Sequence, residues 1–242
     1  MLPGMGSTRP IDDWDPIAPW WRREVADDPV YTDQILPMLE SLLPAPEGVV
    51  VDLGCGEGQG MRRVVERGGH PVGCDLSRAL LGVARTAGPV VRCRLPDLGW
   101  LRDGVVDVAY SVYVLDLLGD AAGFFADTAR VVRPGGALVV IINHPAYTPH
   151  AAGPIIDVDG EVLWRWGAYL QSGTSLQPAG GDTVIFHHRS MSSLLTTAAA
   201  AGWSLVEMRE EGLGAAAIAR EPGYRGQEGI PRVLGLCWRR LP

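Results

Sequence analysis

From Val49 onward the chain alternates short apolar runs with longer stretches whose apolar residues return every three to four positions. Residues 49–51, 71–74 and 137–142 are apolar runs, residues 90–94 and 105–110 read as two further strands, and residues 61–67, 76–86 and 121–132 have helical spacing. Strands that are apolar at successive positions are covered on both faces, as in a parallel sheet clothed by helices. The pattern predicts a doubly wound α/β domain. Further on, residues 192–201 read as a helix, and residues 203–209 and 232–239 as two last strands.

Two regions break the rhythm. Residues 1–13 are rich in Gly, Pro and Asp and read as loose, and from Trp14 to Leu43 a helical pattern is cut by Pro16, Pro19, Pro29 and Pro37. Proline inside a helix removes a hydrogen bond and clashes with the preceding turn, so short helices are expected. Residues 145–185 are rich in Gly, Pro and aromatics with weak periodicity. A structureless loop of that length is uncommon, and the stretch reads as a lid or binding insertion. Its aromatics (Tyr147, Trp164, Trp166, Tyr169) either pack on the sheet edge or touch a ligand. The expected organisation is an N-terminal helical part, 1–46, and a main domain, 47–242, with an insertion at about 145–185.

Composition narrows the function. Hydrophobic residues are 47% and charged residues 20%, with a formal charge of −7. Binding to a phosphate backbone is driven by cationic surfaces, so an acidic balance argues against a nucleic-acid ligand. A local basic patch is left open at Arg232, Arg239 and Arg240. The four cysteines (Cys55, Cys74, Cys93, Cys237) have no paired spacing and read as free thiols. No metal cluster is evident. No run approaches the roughly 18 apolar residues of a membrane span, and the expectation is a cytoplasmic protein, monomer or homodimer.

Chemistry concentrates after the first apolar run, where Asp52 is followed by glycines at 54, 56 and 58. Glycines allow a tight turn and close approach of a ligand to the backbone. The order D-x-G-x-G-x-G differs from the dinucleotide fingerprint. An acid at the loop mouth suits a cationic ligand such as S-adenosylmethionine better than a pyrophosphate. Asp75 ends the second run about 20 residues beyond Gly54, where an acid can accept ribose hydroxyls or cap the next helix. Ser77 is a candidate N-cap.

These residues resemble the class I S-adenosylmethionine-dependent methyltransferases, specifically the small-molecule group related to quinone biosynthesis and methyltransferase type 11. The resemblance runs from about Val49 to Ile142. It rests on Asp52, Gly54, Gly56 and Gly58, on Asp75, and on Arg133-Pro-Gly-Gly136 before the fifth strand. Phe186, His187, His188 and Arg189, then Gly202 and Trp203, match its C-terminal segment. The resemblance implies a mostly parallel seven-stranded sheet and an N-terminal helical lid. It implies Asp52 near the methionine amino group and Asp75 on the ribose. Asp97 would lie at the adenine amine with the Leu98 amide beside it, although its spacing to Asp103 is shorter than the family's. Cys55, Leu76 and Ser111 complete the implied donor set.

Acceptor residues are expected at the carboxyl ends of the strands. Tyr113 and Asp116 follow the fourth strand, and His144 and Tyr147 follow the fifth. His144 is the candidate general base, or a hydrogen-bonded structural histidine; Tyr113 and Asp116 would shape the site. Trp20, Trp21, Tyr31, Tyr147, Trp164 and Trp166 are candidate acceptor contacts. The implied reaction is methyl transfer to O, N or C of a small organic acceptor. Modification of tRNA or protein, or donor binding without transfer, stand as alternatives.

Overall fold

The apolar runs become the centre of one sheet. In this computed structural model, which describes residues 13–242, β1 (Val50–Leu53), β2 (Pro71–Asp75), β3 (Val90–Arg92), β4 (Val106–Val112) and β5 (Val132–Asn143) lie parallel. The two last strands, β10 (Trp203–Glu211) and β11 (Val233–Arg240), complete the order β10-β11-β5-β4-β1-β2-β3, and both run antiparallel to their neighbours. Helices α3 (Gln59–Glu66), α4 (Arg78–Ala84), α5 (Ala121–Val131) and α6 (Met191–Ala200) cover the faces with α2 (Leu36–Leu42) and α7 (Ala215–Arg220). The seven-stranded expectation holds; residues 1–12, read as loose, fall outside the described residues.

β5 shows how the two faces are filled. Leu138, Val140 and Ile142 join a cluster with Phe124 and Phe125 of α5 and Leu194 of α6. Ala137, Val139 and Ile141 join the opposite cluster with Leu36, Leu39 and Leu42 of α2. Successive side chains of a strand point to opposite faces, so an unbroken apolar run requires both layers. Arg133–Gly136, expected as a turn before the strand, lies within it. Val106 pairs with Val132 and Val108 with Ala137, so the intervening residues loop out as a wide irregularity. Gly135, at φ +75, supplies the positive dihedral there.

The two irregular regions meet above this sheet. Pro29 opens a second helical stretch after α1 (Ala18–Asp27). Residues 29–42 then run on without a break, a π-type turn (Tyr31–Ile35) leading into α2, so Pro37, expected to cut the helix, lies inside it. The insertion forms two hairpins, β6 (Gly153–Ile156) with β7 (Val162–Arg165) and β8 (Gly173–Ala179) with β9 (Asp182–His188). Ile17 of the N-terminal segment packs with Ala179 and Val184 of the second hairpin, with Trp14, Trp20, Leu117 and Phe186 around them. The hairpin tip Gly180 abuts Trp20: a Cβ there would stand 2.9 Å from the indole, and its φ of +61 disfavours a side chain independently. The N-terminal segment and the insertion thus pack against one another. No helix among the described residues is long and apolar enough to cross a membrane.

Candidate active site

The carboxyl end of β1 builds the first half of the site. After Leu53 the chain turns through Gly54, Gly56 and Gly58 at φ +79, +52 and +83. At Gly54 a Cβ would meet Val114 at 2.3 Å, so the close approach as well as the dihedral demands glycine. The N–H groups of Gly54 and Cys55 both donate to the Cys74 carbonyl at 2.8 Å, fixing the loop to β2. Asp75 braces it from the side: its two carboxylate oxygens accept the Gly56 N–H at 2.9 Å and the Ser77 N–H at 2.8 Å. Ser77 is the N-cap of α4, accepting from the Leu80 N–H.

Asp52 is the electrostatic centre of this half. It is 3% exposed, and burial pushes its carboxyl up to about 8; the Tyr110 hydroxyl offsets part of that, and Asp75 adds to it. A carboxylate removed from water is costly unless a cation meets it, and none of the described residues forms an ion pair with Asp52. A cavity of about 30 Å³ lies over it, lined by Trp21, Tyr31, Gly54, Gly56 and Val112.

The N-terminal segment closes that cavity with polar latches. Arg22 Nε meets Glu57 Oε2 at 2.7 Å. Asp15 accepts from Ser77 Oγ at 2.6 Å and from the Ala79 N–H at 3.0 Å, and these bonds hold its carboxyl below the ordinary value.

Several residues expected to touch the donor are spent elsewhere. The Leu98 N–H, expected at the adenine, donates to Asp127 Oδ2 at 2.6 Å. Asp97 is exposed and caps the Gly99 N–H at 2.8 Å. Ser111 donates its hydroxyl to the Leu53 carbonyl at 2.9 Å and fastens β4 to β1. The Cys55 side chain packs with Met61, Leu81 and Ala84, leaving only its backbone on the loop. Leu76 offers its carbonyl to Arg92 Nε.

The second half lies at the ends of β4, β5 and β11. Tyr113 takes a positive φ of +58 as β4 ends, and its ring stands 6.3 Å from that of Tyr31. Burial raises both phenols far above their ordinary range. Asp116 is 6% exposed; its Oδ2 accepts the Asn143 N–H at 3.0 Å and Nδ2 at 3.1 Å, and burial lifts its carboxyl to about 6. Arg189 steadies this turn by donating to the Leu115, Leu118 and Gly119 carbonyls.

His144 does not fit the role of base. Its Nδ1 accepts the Ala146 N–H at 3.0 Å, so Nε2 carries the proton and donates to Glu210 Oε1 at 2.7 Å. With both nitrogens engaged, and burial lowering its proton affinity, the ring ties the end of β5 to β10. His188 is likewise structural, bonded to Thr148 and to the Tyr169 carbonyl, while His187 is the outer member of the pair.

The aromatic candidates divide. Tyr147 stacks on Trp164 at 4.8 Å, and the Arg232 guanidinium lies 3.4 Å from the Tyr147 ring centre. Trp166 is 55% exposed and packs edge-on against Tyr169. Trp21 covers the glycine loop, whereas Trp20 packs on the insertion, so the pair expected to contact the acceptor divides between two surfaces. Sequence reading missed Asn143 and the placing of Arg232. Arg232 precedes β11, while Arg239 and Arg240 end it and bond the Gly135 and Val132 carbonyls, so the basic patch left open there is not formed. Among the described residues no group of metal-ligating side chains gathers.

Comparison with known proteins bears on the family of the chain rather than on single residues. A family described as "Methyltransferase domain" matches residues 51–140. The crystal structure of an S-adenosylmethionine-dependent methyltransferase from Mesorhizobium loti superposes with a TM-score of 0.74 at 30% identity, covering 89% of this chain and 100% of that one. Among curated proteins, the chain is similar to demethylmenaquinone methyltransferase of Tropheryma whipplei (strain Twist), at 34% identity over 40% of this chain and 42% of the relative. It is also similar to trans-aconitate 2-methyltransferase of Azoarcus sp. (strain BH72), at 38% identity over 38% of this chain and 37% of the relative. The matches thus span less than half the length of these two curated relatives.

Proposed function

The chain belongs to the S-adenosylmethionine-dependent methyltransferases, and from that premise we propose that it methylates an oxygen, nitrogen or carbon of a small organic acceptor. Asp52 carries this reading. A buried carboxyl lifted to about 8, beside three glycines and without a cationic partner among the described residues, fits a ligand that brings its own positive charge. Similarity to proteins named for trans-aconitate and demethylmenaquinone supports a small acceptor.

When bound, the donor supplies a methyl group on a positively charged sulfur, open to in-line displacement. The chain's residues then divide the work. Asp52 holds the cationic amino-acid end, and Asp75, oriented by the Gly56 and Ser77 N–H groups, takes the ribose hydroxyls with its remaining lone pairs. Tyr31, lying between the Asp52 cavity and Tyr113, screens the reacting atoms from water. Orientation of this kind lowers a barrier by roughly 7–11 kcal/mol in favourable cases. Asp116 replaces His144 as general base: a carboxyl near 6 is ionised at neutral pH yet basic enough to accept a proton, a contribution of about 10²- to 10⁴-fold.

Residues 14–43 act as a lid. The cavity of about 30 Å³ is far below the roughly 300–1,000 Å³ of a site for a ligand of this size, so the Arg22–Glu57 and Asp15–Ser77 latches must open to admit the donor. The test is incubation with labelled donor and a panel of acceptors, read by mass spectrometry. The expected result is a product heavier by one methylene, with S-adenosylhomocysteine released in equal amount. Donor binding with no S-adenosylhomocysteine across the panel would favour a binding protein instead.

A further inference from the structure

Arg232 stands at the carboxyl edge of the sheet, just before β11, where Val233 pairs with Asn143. Its backbone is pinned on both sides, by the Glu211 carbonyl and the His144 N–H. Its guanidinium is half-buried over Tyr147 at 3.4 Å. Among the described residues no carboxylate forms an ion pair with it and no carbonyl accepts from it. Exposed arginines such as Arg23 and Arg102 also lack such partners, but the other half-buried ones do not: Arg62, Arg63, Arg130, Arg189 and Arg240 each bond a carboxylate or a carbonyl. A chain with 28 acidic residues against 21 basic ones has no shortage of counter-ions to place there.

Stacking fixes the plane of the guanidinium and leaves its N–H fork free for a planar, two-oxygen partner. Cation–π contact alone contributes about 0.5–1 kcal/mol at exposed sites, a weak return for half-burying a charge. The surroundings are aromatic, Tyr147, Trp164 and Tyr113, and the Arg232 charge acts on both phenols. Across the sheet, β11 and β4 are separated by β5, so Arg232 and the Tyr113–Asp116 turn sit two strand spacings apart, on the order of 10 Å.

From this geometry we propose that the acceptor is an organic acid whose carboxylate is gripped by Arg232 while a different atom, beside Tyr113 and Asp116, receives the methyl group. This rests on the methyltransferase reading above and deepens it. The nucleophilic atom forms a bond to the methyl carbon as the carbon–sulfur bond breaks, its proton passes to Asp116, and the carboxylate remains ionised in the product. A single guanidinium matches one carboxylate.

The test uses the intact protein saturated with S-adenosylhomocysteine, and calorimetry with hydroxybenzoates and hydroxycinnamates, each paired with its neutral amide. The acids are expected to bind about 10- to 100-fold more tightly than the amides, the range for a charge-assisted pair. Arg232→Gln should abolish that preference and Arg232→Lys restore part of it, with S-adenosylhomocysteine affinity and melting temperature close to wild type. Equal binding of acid and amide, binding of neither, or a preference that survives Arg232→Gln would overturn the proposal. Loss of S-adenosylhomocysteine binding in the wild-type protein would instead overturn the donor assignment, and carboxylate binding measured without it would still report on Arg232.

Discussion

The half of the sheet edge proposed for the donor is written in one stretch of chain, from Asp52 to Asp75, whereas the half proposed for the acceptor draws on Tyr31, Tyr113, Asp116, Asn143, Tyr147 and Arg232. Backbone dominates the first: three glycines at positive φ and two carboxylates, one of them bonded to backbone N–H groups. Side chains from four separate segments dominate the second, each oriented by a neighbour distant in sequence. A backbone cradle can be conserved in shape while its side chains vary, and it recognises what all its ligands share. A side-chain cluster can be re-specified one residue at a time. On the proposed reading donor chemistry belongs to the first half and acceptor choice to the second, and substitutions should separate the two.

The largest separation is expected at Asp116. Asp116→Asn should lower kcat by about 10²- to 10⁴-fold and leave donor affinity unchanged in a calorimetric titration. In the wild type, kcat should rise with pH through about 6, as the carboxyl ionises. Asp75→Ala should do the reverse, weakening donor binding by roughly 10- to 100-fold while acceptor discrimination persists at saturating donor.

Asp52 sharpens the contrast by setting binding against stability. Its carboxyl is raised from 3.8 to about 8 by burial. Its contribution to the ligand-free fold is therefore complete below pH 4 and lost as pH rises through 8. Asp52→Asn should stabilise the fold at pH 8–9 by on the order of a few kcal/mol, read as a higher melting temperature, and flatten its pH dependence while impairing donor binding. The smallest effect belongs to His144. His144→Asn should cost about 1–3 kcal/mol, because Glu210 and the Ala146 N–H lose a buried partner, and leave the midpoint of the kcat profile in place.

His144 also shows where sequence stops informing. Its position after an apolar strand is legible, and that position is where a base is expected. What disqualifies it is Glu210, which lies 66 positions away and reaches it only because β10 and β11 fold back antiparallel. Leu98 is the same case, its amide taken by Asp127 on α5. The central strands were legible because they are buried on both faces, so apolar residues dominate them and the few polar ones, such as Asp52 and Asp107, do not hide the run. The hairpins of the insertion were not: β6 and β7 are mostly exposed, so little burial pressure enforces alternation on them. The residues proposed for the donor, whose task is done largely by backbone, were marked by glycine and aspartate in the sequence itself. Asn143 and Arg232 carry no such mark; an arginine before a strand is ordinary until Tyr147 is found beneath it.

The central claim is that Asp52 is a buried acid awaiting a cation, and titration of S-adenosylmethionine in buffers of different ionisation enthalpy at pH 7 tests it most directly. With a carboxyl near 8 in the ligand-free protein, binding should expel close to one proton and tighten as pH rises to 8, and both effects should vanish in Asp52→Asn. Binding that releases no proton and is indifferent to pH and to Asp52→Asn, or no binding at all, would contradict the account.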